Sequence, residues 1–290
     1  MAQKVGPTIR RIQLGRELKR LRESCGLTLE QAAADMPFDK TRVSKLEGGT
    51  TKLRTSGHLR SLLERYGVTE EEDVDFLITM HTDSLSQEWW SPYRSVMPSG
   101  MQLYVGLEED ARTMRVWQPA VVFGLFQTKE YARAQFEAAK AVDERTTEFI
   151  EWNVQLRMER QEIITRTTKP PAELFVVLDE AALRRHVGSS PLMKVQYERI
   201  AELSKLDHVT IQILPMSVPT YRADSNFTLL DFDEPQMTIV EVDVPAGVSV
   251  ADKDTEVWKH RRRFDALQRG ALGPGETPKF LEQLAKELTH

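Results

Sequence analysis

Between Asp39 and Gly49 the chain reads DKTRVSKLEGG, a spacing that sets a row of hydrogen-bond donors along a short helix. Asp39 is a start signal, because its carboxylate can accept from the unpaired amide of Arg42 or a neighbour. A helix begun there turns Val43 and Leu46 inward and leaves Lys40, Thr41, Arg42, Ser44 and Lys45 outward. Gly48 and Gly49 stop it. Ammonium, guanidinium and hydroxyl groups on one exposed surface suit phosphate oxygens and base edges. A guanidinium can also meet two acceptors of a guanine at once, which makes Arg42 the leading candidate for reading sequence.

The preceding residues supply a partner for that helix. Thr28 is placed as an N-cap with Gln31 three residues on, the spacing of a capping box, so a short helix would bury Leu29, Ala32, Ala33 and Met36. Two short helices joined by a tight turn, the second cationic, form a layout for reading DNA. The plainer alternative is an α-hairpin whose Lys and Arg are a solvated face. Cap, small-residue contact, second cap and glycine stop all fall at the required spacing, which favours the reader. Residues 8–24 place Ile12, Leu14, Leu18 and Leu21 at helical spacing, and 56–66 bring Leu59, Leu62, Leu63 and Tyr66. Gly67 ends that helix and Thr69 opens another, with Val74, Phe76, Leu77 and Met80 as its apolar side. The pattern predicts a five-helix bundle over residues 1–82, a polar hinge at 83–88 and a second domain over 89–290.

The stretch 26–49, and VSKLEGG at 43–49 in particular, resembles the Xre/Cro helix-turn-helix family. The resemblance implies that Lys40, Thr41, Arg42 and Ser44 touch base edges. It further implies that Thr28, Gln31, Lys45 and Arg54 hold the DNA backbone. Leu29 departs from the pattern, since many members carry a DNA-contacting Gln there.

Charge divides the chain. Residues 1–66 carry 14 Lys plus Arg against 7 Asp plus Glu, a net of +7, so the remainder carries −12 to reach the total of −5. A basic head suits a polyanion, and an acidic body repels one. No apolar run approaches bilayer-spanning length, and the first residues lack a signal-peptide core, which points to the cytoplasm. Cys25 is the single cysteine, so no internal disulfide is possible; its position at a helix end predicts packing rather than redox sensing.

Beyond residue 88 the pattern becomes mixed. PAVVFGLFQT (119–128) reads as an apolar connector into a helix, and 143–166 as a long helix with Phe149, Trp152, Leu156 and Ile163 on one face. LFVVL, VTIQIL, FTLLDF and TIVEV read as strands. With helices near 179–186, 191–204, 254–269 and 277–288, this predicts an α+β domain whose small mixed sheet has about four strands, at least one pair antiparallel. EWWSPY, LYVGLEEDA, PAVVFGLFQT, RMERQEIIT, VVLDEAALRR, VTIQILP and FTLLDF, in this order, resemble the DUF5753 domain of actinobacterial regulators, described also as Scr1-type, antitoxin-like and WhiJ-like. The resemblance implies a DNA-binding repressor whose second domain senses or docks something, in particular a small DUF397-like protein encoded nearby. Residues 238–254 depart from the Gly-rich turn common among relatives.

Catalysis is the weaker reading of the acidic groups. Asp179 and Glu180 follow a strand, where Asp179 is placed to cap a helix, and Asp233 to Pro235, with Glu234 between, reads as a turn beside Asp231. The six histidines (58, 81, 186, 208, 260 and 290) fall at no metal-ligand spacing, and no phosphate loop occurs, so neither metal nor cofactor is expected. Lys259 to Arg263, KHRRR, would spread around a helix, which favours a solvated surface over a binding patch. Trp89, Trp90, Trp117 and Trp152 suit a core better than a ligand pocket. The expectation is therefore a non-enzymatic homodimer on a palindromic operator of double-stranded DNA. The alternatives are an antitoxin-like docking protein that binds DNA for autoregulation, and a sensor of a small ligand.

Overall fold

The computed structural model describes residues 6–143, 145–233, 236–245 and 247–288. The chain divides into two compact units, Met1–Ser91 and Pro92–His290.

The first unit is built of five helices: α1 (Pro7–Ser24), α2 (Leu29–Ala33), α3 (Lys40–Glu47), α4 (Ser56–Arg65) and α5 (Glu71–Ser84). Their apolar faces meet in one core of Leu14, Leu18, Ala32, Val43, Leu46, Leu59, Leu62, Leu63 and Leu77, with Leu29 and Met36 packed on its edge. Phe76, expected inside, is 63% exposed, because Val74, Leu77 and Met80 already define the buried stripe of α5. Cys25 is exposed rather than packed, and its thiol donates to the Tyr66 carbonyl at 2.9 Å. The segment 83–88, expected as a hinge, holds part of the head's own framework. Helix α5 continues to Ser84, and Glu88 is buried and bonded to Thr8 and Arg11.

The second unit carries a mixed sheet of six strands rather than about four. They are β1 (Thr113–Gln118), β2 (Glu173–Asp179), β3 (Val209–Leu214), β4 (Phe227–Phe232), β5 (Met237–Val244) and β6 (Gly247–Ala251), in the order β3-β2-β1-β4-β5-β6. β1, β2 and β3 run parallel, joined by helical crossovers, while β4, β5 and β6 form an antiparallel meander paired to β1. The two additional strands are those with weak local signals. TMRVWQ alternates only through Val116 before Trp117 breaks the pattern, and GVSVA is a five-residue edge strand with no buried residue.

Helices α6 (Met101–Asp110), α7 (Lys129–Ala138), α8 (Thr147–Arg160), α9 (Glu162–Thr165), α10 (Glu180–Arg184), α11 (Ser190–Leu203), α12 (Asp254–Gly270) and α13 (Thr277–Glu287) complete the unit. α12 crosses one face of the sheet and buries Phe264 and Leu267 against Trp117, Phe227, Leu229 and Val240. The long helix expected over 143–166 breaks at Gln161, and its buried side is Ile150, Val154 and Leu156. Trp152 lies on the other side, 38% exposed, edge-to-face with Tyr93 at 5.5 Å.

The acidic groups at strand ends are structural partners. Asp179 accepts from the Ala181 amide at 2.8 Å and from Arg222 at 2.9 Å, Glu180 accepts from the Met216 amide at 2.7 Å, and Asp231 accepts from Arg115 and from Arg261. Glu234, Pro235 and His290 lie outside the described residues. KHRRR spreads around α12 as its period requires. Lys259 pairs with Glu256, His260 is buried against Phe227, Arg261 bonds Asp231, and Arg262 lies over the Trp258 ring.

Candidate nucleic-acid interface

The two helices of the reading unit begin as their caps dictate. Thr28 Oγ1 accepts from the Gln31 amide at 3.2 Å and Gln31 Oε1 accepts from the Thr28 amide at 2.8 Å, a complete capping box. Asp39 Oδ1 accepts from the Arg42 amide at 2.9 Å and starts α3. Residues 34–39 between the helices form a longer connection than a tight turn, with Asp35 in the left-handed region at φ 59°. Arg65 holds this connection by donating to the Gln31 carbonyl at 2.8 Å.

The far end of α3 closes in a Schellman motif. The Gly49 amide donates to Leu46 and the Thr50 amide to Lys45, both at 3.0 Å, with Gly49 at φ +65°. A side chain on Gly49 would also strike Ile12. Gly15 lets α1 cross against this end, since a Cβ there would lie 2.5 Å from the Leu46 carbonyl oxygen. An ion pair then fixes it. Arg22 Nε and Nη2 donate to Glu47 Oε1 and Oε2 at 2.6 and 2.9 Å, both side chains buried, and the bond to Glu47 holds the guanidinium above its ordinary pKa.

At about 100° per residue, Lys40, Ser44, Thr41 and Lys45 succeed one another across one arc of α3, with Val43 and Leu46 across from it and Glu47 beside its Lys40 edge. Burial agrees: those four are exposed and these three buried. Arg42 lies at the rim, half-buried, and its Nη2 donates to the Lys52 carbonyl at 2.8 Å. One of its five donors thus braces the loop after α3, and the others remain outward-capable. Lys40 is paired with Glu30 of α2, whose hydrogen bond holds the ammonium above and the carboxylate below their ordinary pKa values. Thr28, Gln31 and Arg54 are exposed, the first two retaining a hydroxyl hydrogen and an amide NH2 to donate. Among the described residues neither Lys45 nor Arg54 has a carboxylate partner.

Three residues that position this surface escaped sequence reasoning. Glu30 lies ten positions before Lys40, a spacing no local pattern flags. Glu47 carried no local signal beyond ending α3 next to the inward Leu46. Glu88 becomes visible only in the fold. It accepts from Thr8 at 2.8 Å, Arg11 at 3.2 Å and Lys52 at 3.2 Å, while Arg11 also donates to the Gly49 carbonyl at 2.7 Å. This network ties α1 to the loop that Arg42 braces.

A family model described as a helix-turn-helix domain matches residues 13–76, from within α1 to within α5. The model of a domain of unknown function, DUF5753, matches residues 101–283. No curated protein and no solved structure matches the chain. The first match agrees with the caps, the α2–α3 pair and the exposed cationic arc, and makes the head the DNA-binding part of a transcription regulator. The second spans well over half of the sequence and holds the whole six-stranded sheet: the protein belongs to the DUF5753 family, with a helix-turn-helix head.

Proposed function

We propose that the protein is a sequence-specific repressor that binds a palindromic operator as a homodimer, each protomer laying α3 in a major groove. The observation that carries this reading is the exposed arc Lys40-Ser44-Thr41-Lys45 beside Arg42, opposite a buried Val43 and Leu46. Lys40, Thr41, Arg42 and Ser44 read base edges, and Thr28, Gln31, Lys45 and Arg54 hold phosphates. A two-fold axis shared with the DNA would set half-sites about 34–36 Å apart, one helical turn. Repression follows from occupancy in the cytoplasm, at the nucleoid, and the protein catalyses no reaction.

The second unit docks a partner in this proposal, a small DUF397-like protein encoded nearby. Trp258, 58% exposed on α12 with Arg262 over its ring at 4.7 Å, supports a docking role, since an exposed aromatic beside cations suits an acidic partner. The same feature supports the antitoxin-like reading, in which docking is primary and DNA binding autoregulatory. The deciding experiment is DNA capture and sequencing from a salt series, with and without the small protein. An inverted repeat whose enrichment disappears in Arg42→Ala supports the repressor. Equal loss on operator and random DNA would reassign Arg42 to bracing the Lys52 loop. Capture of random DNA alone, by a protein that binds the small partner tightly, would favour docking.

A further inference from the structure

The second unit holds a partly open cavity of about 160 Å³. One wall is the sheet face turned away from α12. Because strand residues alternate, Trp117, Phe227 and Val240 in the α12-side core aim Gln118, Thr228 and Glu241 into the cavity. α8 contributes Arg157 and Arg160, three residues apart and so neighbours on one helix face. The tryptophans are absent from this lining.

The two arginines stand in different positions. Arg160 is matched: Nε and Nη2 donate to Glu108 at 2.7 and 2.8 Å, both side chains buried. Arg157 is not. Its Nη1 donates to the neutral amides of Gln127 at 2.6 Å and Gln135 at 3.2 Å, its guanidinium lies over the Phe136 ring, and among the described residues no carboxylate pairs with it. Burial pushes Arg157 down to about 10. Across the cavity Glu241 is 3% exposed, in register with Thr228, with Asp243 two residues on along the same side of β5. Burial, and then the charge of Asp243, hold the Glu241 carboxyl well above the usual carboxylate range. Asp243 stands exposed at the rim and accepts from Asn226 at 2.6 Å. A desolvated cation bonded only to neutral amides, with Asp243 and Glu108 acting on it at longer range, and a carboxyl whose charged form burial disfavours thus share one space, and each is relieved by a ligand group of opposite sign.

We propose that this cavity is a binding site for a small zwitterion of α-amino-acid type, its carboxylate on Arg157 and its ammonium on Glu241 and Asp243. A cavity of about 150 Å³ is known to admit benzene, so the space suits a small amino acid. The site does not rest on the operator reading. Occupancy would alter DNA binding only to the extent that the ligand prefers one state of the protein.

The test uses the full chain, thermal melting and isothermal titration, with the standard L-amino acids as probes and propionate and propylamine as one-charge controls. The expected result is that one or a few amino acids raise the melting temperature and bind at least about tenfold more tightly than either control. Binding should release protons, seen as buffer-dependent enthalpy, because an ammonium beside Glu241 favours the ionised carboxylate that burial disfavours. Glu241→Gln, which keeps the shape, should weaken the amino acid about tenfold or more and leave propionate unchanged. Arg157→Gln should weaken both; if that variant does not fold, the Glu241→Gln comparison decides. The proposal is overturned if propionate binds as tightly as every amino acid, if Glu241→Gln binds the amino acid unchanged, or if no probe binds up to millimolar concentrations.

Discussion

At the scale of single residues, the reading surface is held by charges that do not themselves read. Glu30 occupies Lys40, so a phosphate approaching α3 competes with a carboxylate already in place and is repelled by it. Replacing Glu30 by Gln removes the repulsion and frees the ammonium. The expected outcome is several-fold tighter binding to operator and random DNA alike, with a salt slope steeper by about one, measured by fluorescence anisotropy across a salt series. Binding weakened on both DNAs would show that Glu30 positions Lys40 productively. Arg22 and Glu47 act at the opposite end of α3. Removing one member of a buried pair strands the other, so Glu47→Ala should cost about 3–5 kcal/mol in the head. Replacing both by Leu should recover most of that. Hydrogen exchange over residues 40–47 would read both changes, and equal loss in the single and double variants would mean that packing, not charge, is what Glu47 supplies.

At the scale of elements, what was legible is what local physics decides. Thr28 with Gln31, Asp39, and Gly49 each act within four residues, so the limits of α2 and α3 could be read from the chain before any tertiary contact. β1 and β6 could not, because a strand with weak alternation is defined by its neighbours: Val116 becomes a core residue through its pairing with Val176 and Thr228. The cavity is less legible still, since its walls come from α6, β1, α7, α8, β4, β5 and β6. Its one local trace was Glu241, a lone carboxylate inside the apolar run TIVEV. Asp110, last residue of α6, shows how an element's end carries a cost. Burial raises its carboxyl from 3.8 to about 6, although Lys169 lies 3.5 Å away, and a charge there also opposes the helix dipole. The folded state therefore binds this proton more tightly than the unfolded state. Stability contributed by Asp110 falls as pH rises from about 4 through about 6, and above that the fold bears the full penalty. Asp110→Asn should be near neutral at pH 4 and should stabilise at pH 7.5 by on the order of 2 kcal/mol. A pH-independent difference in urea midpoint would contradict the assignment.

At the scale of the whole molecule, the division of charge decides how DNA is met. Residues 1–66 carry a net +7, but Glu70, Glu71, Glu72, Asp73, Asp75, Asp83 and Glu88 bring the first unit to zero and Pro92–His290 carries −5, so attraction to DNA arises from the basic helices alone and is opposed by the acids of α5 and by the rest of the chain. Screening weakens both effects, but only contacted phosphates release counterions. The slope of log K against log salt therefore counts contacts and is insensitive to acids that touch no phosphate. Lys45 and Arg54 are the cations of each head placed for phosphates, Lys40 being held by Glu30. Two heads on one operator should give a slope of about −4, and a single head about −2. Adding uniform negative charge to Pro92–His290 should lower affinity at low salt while leaving that slope unchanged. A slope of about −2 on a full inverted repeat would rule out simultaneous binding of two heads. A slope well beyond about −4 would require cations from outside the helix-turn-helix, for which the Arg262 side of α12 is the first candidate to neutralise by substitution.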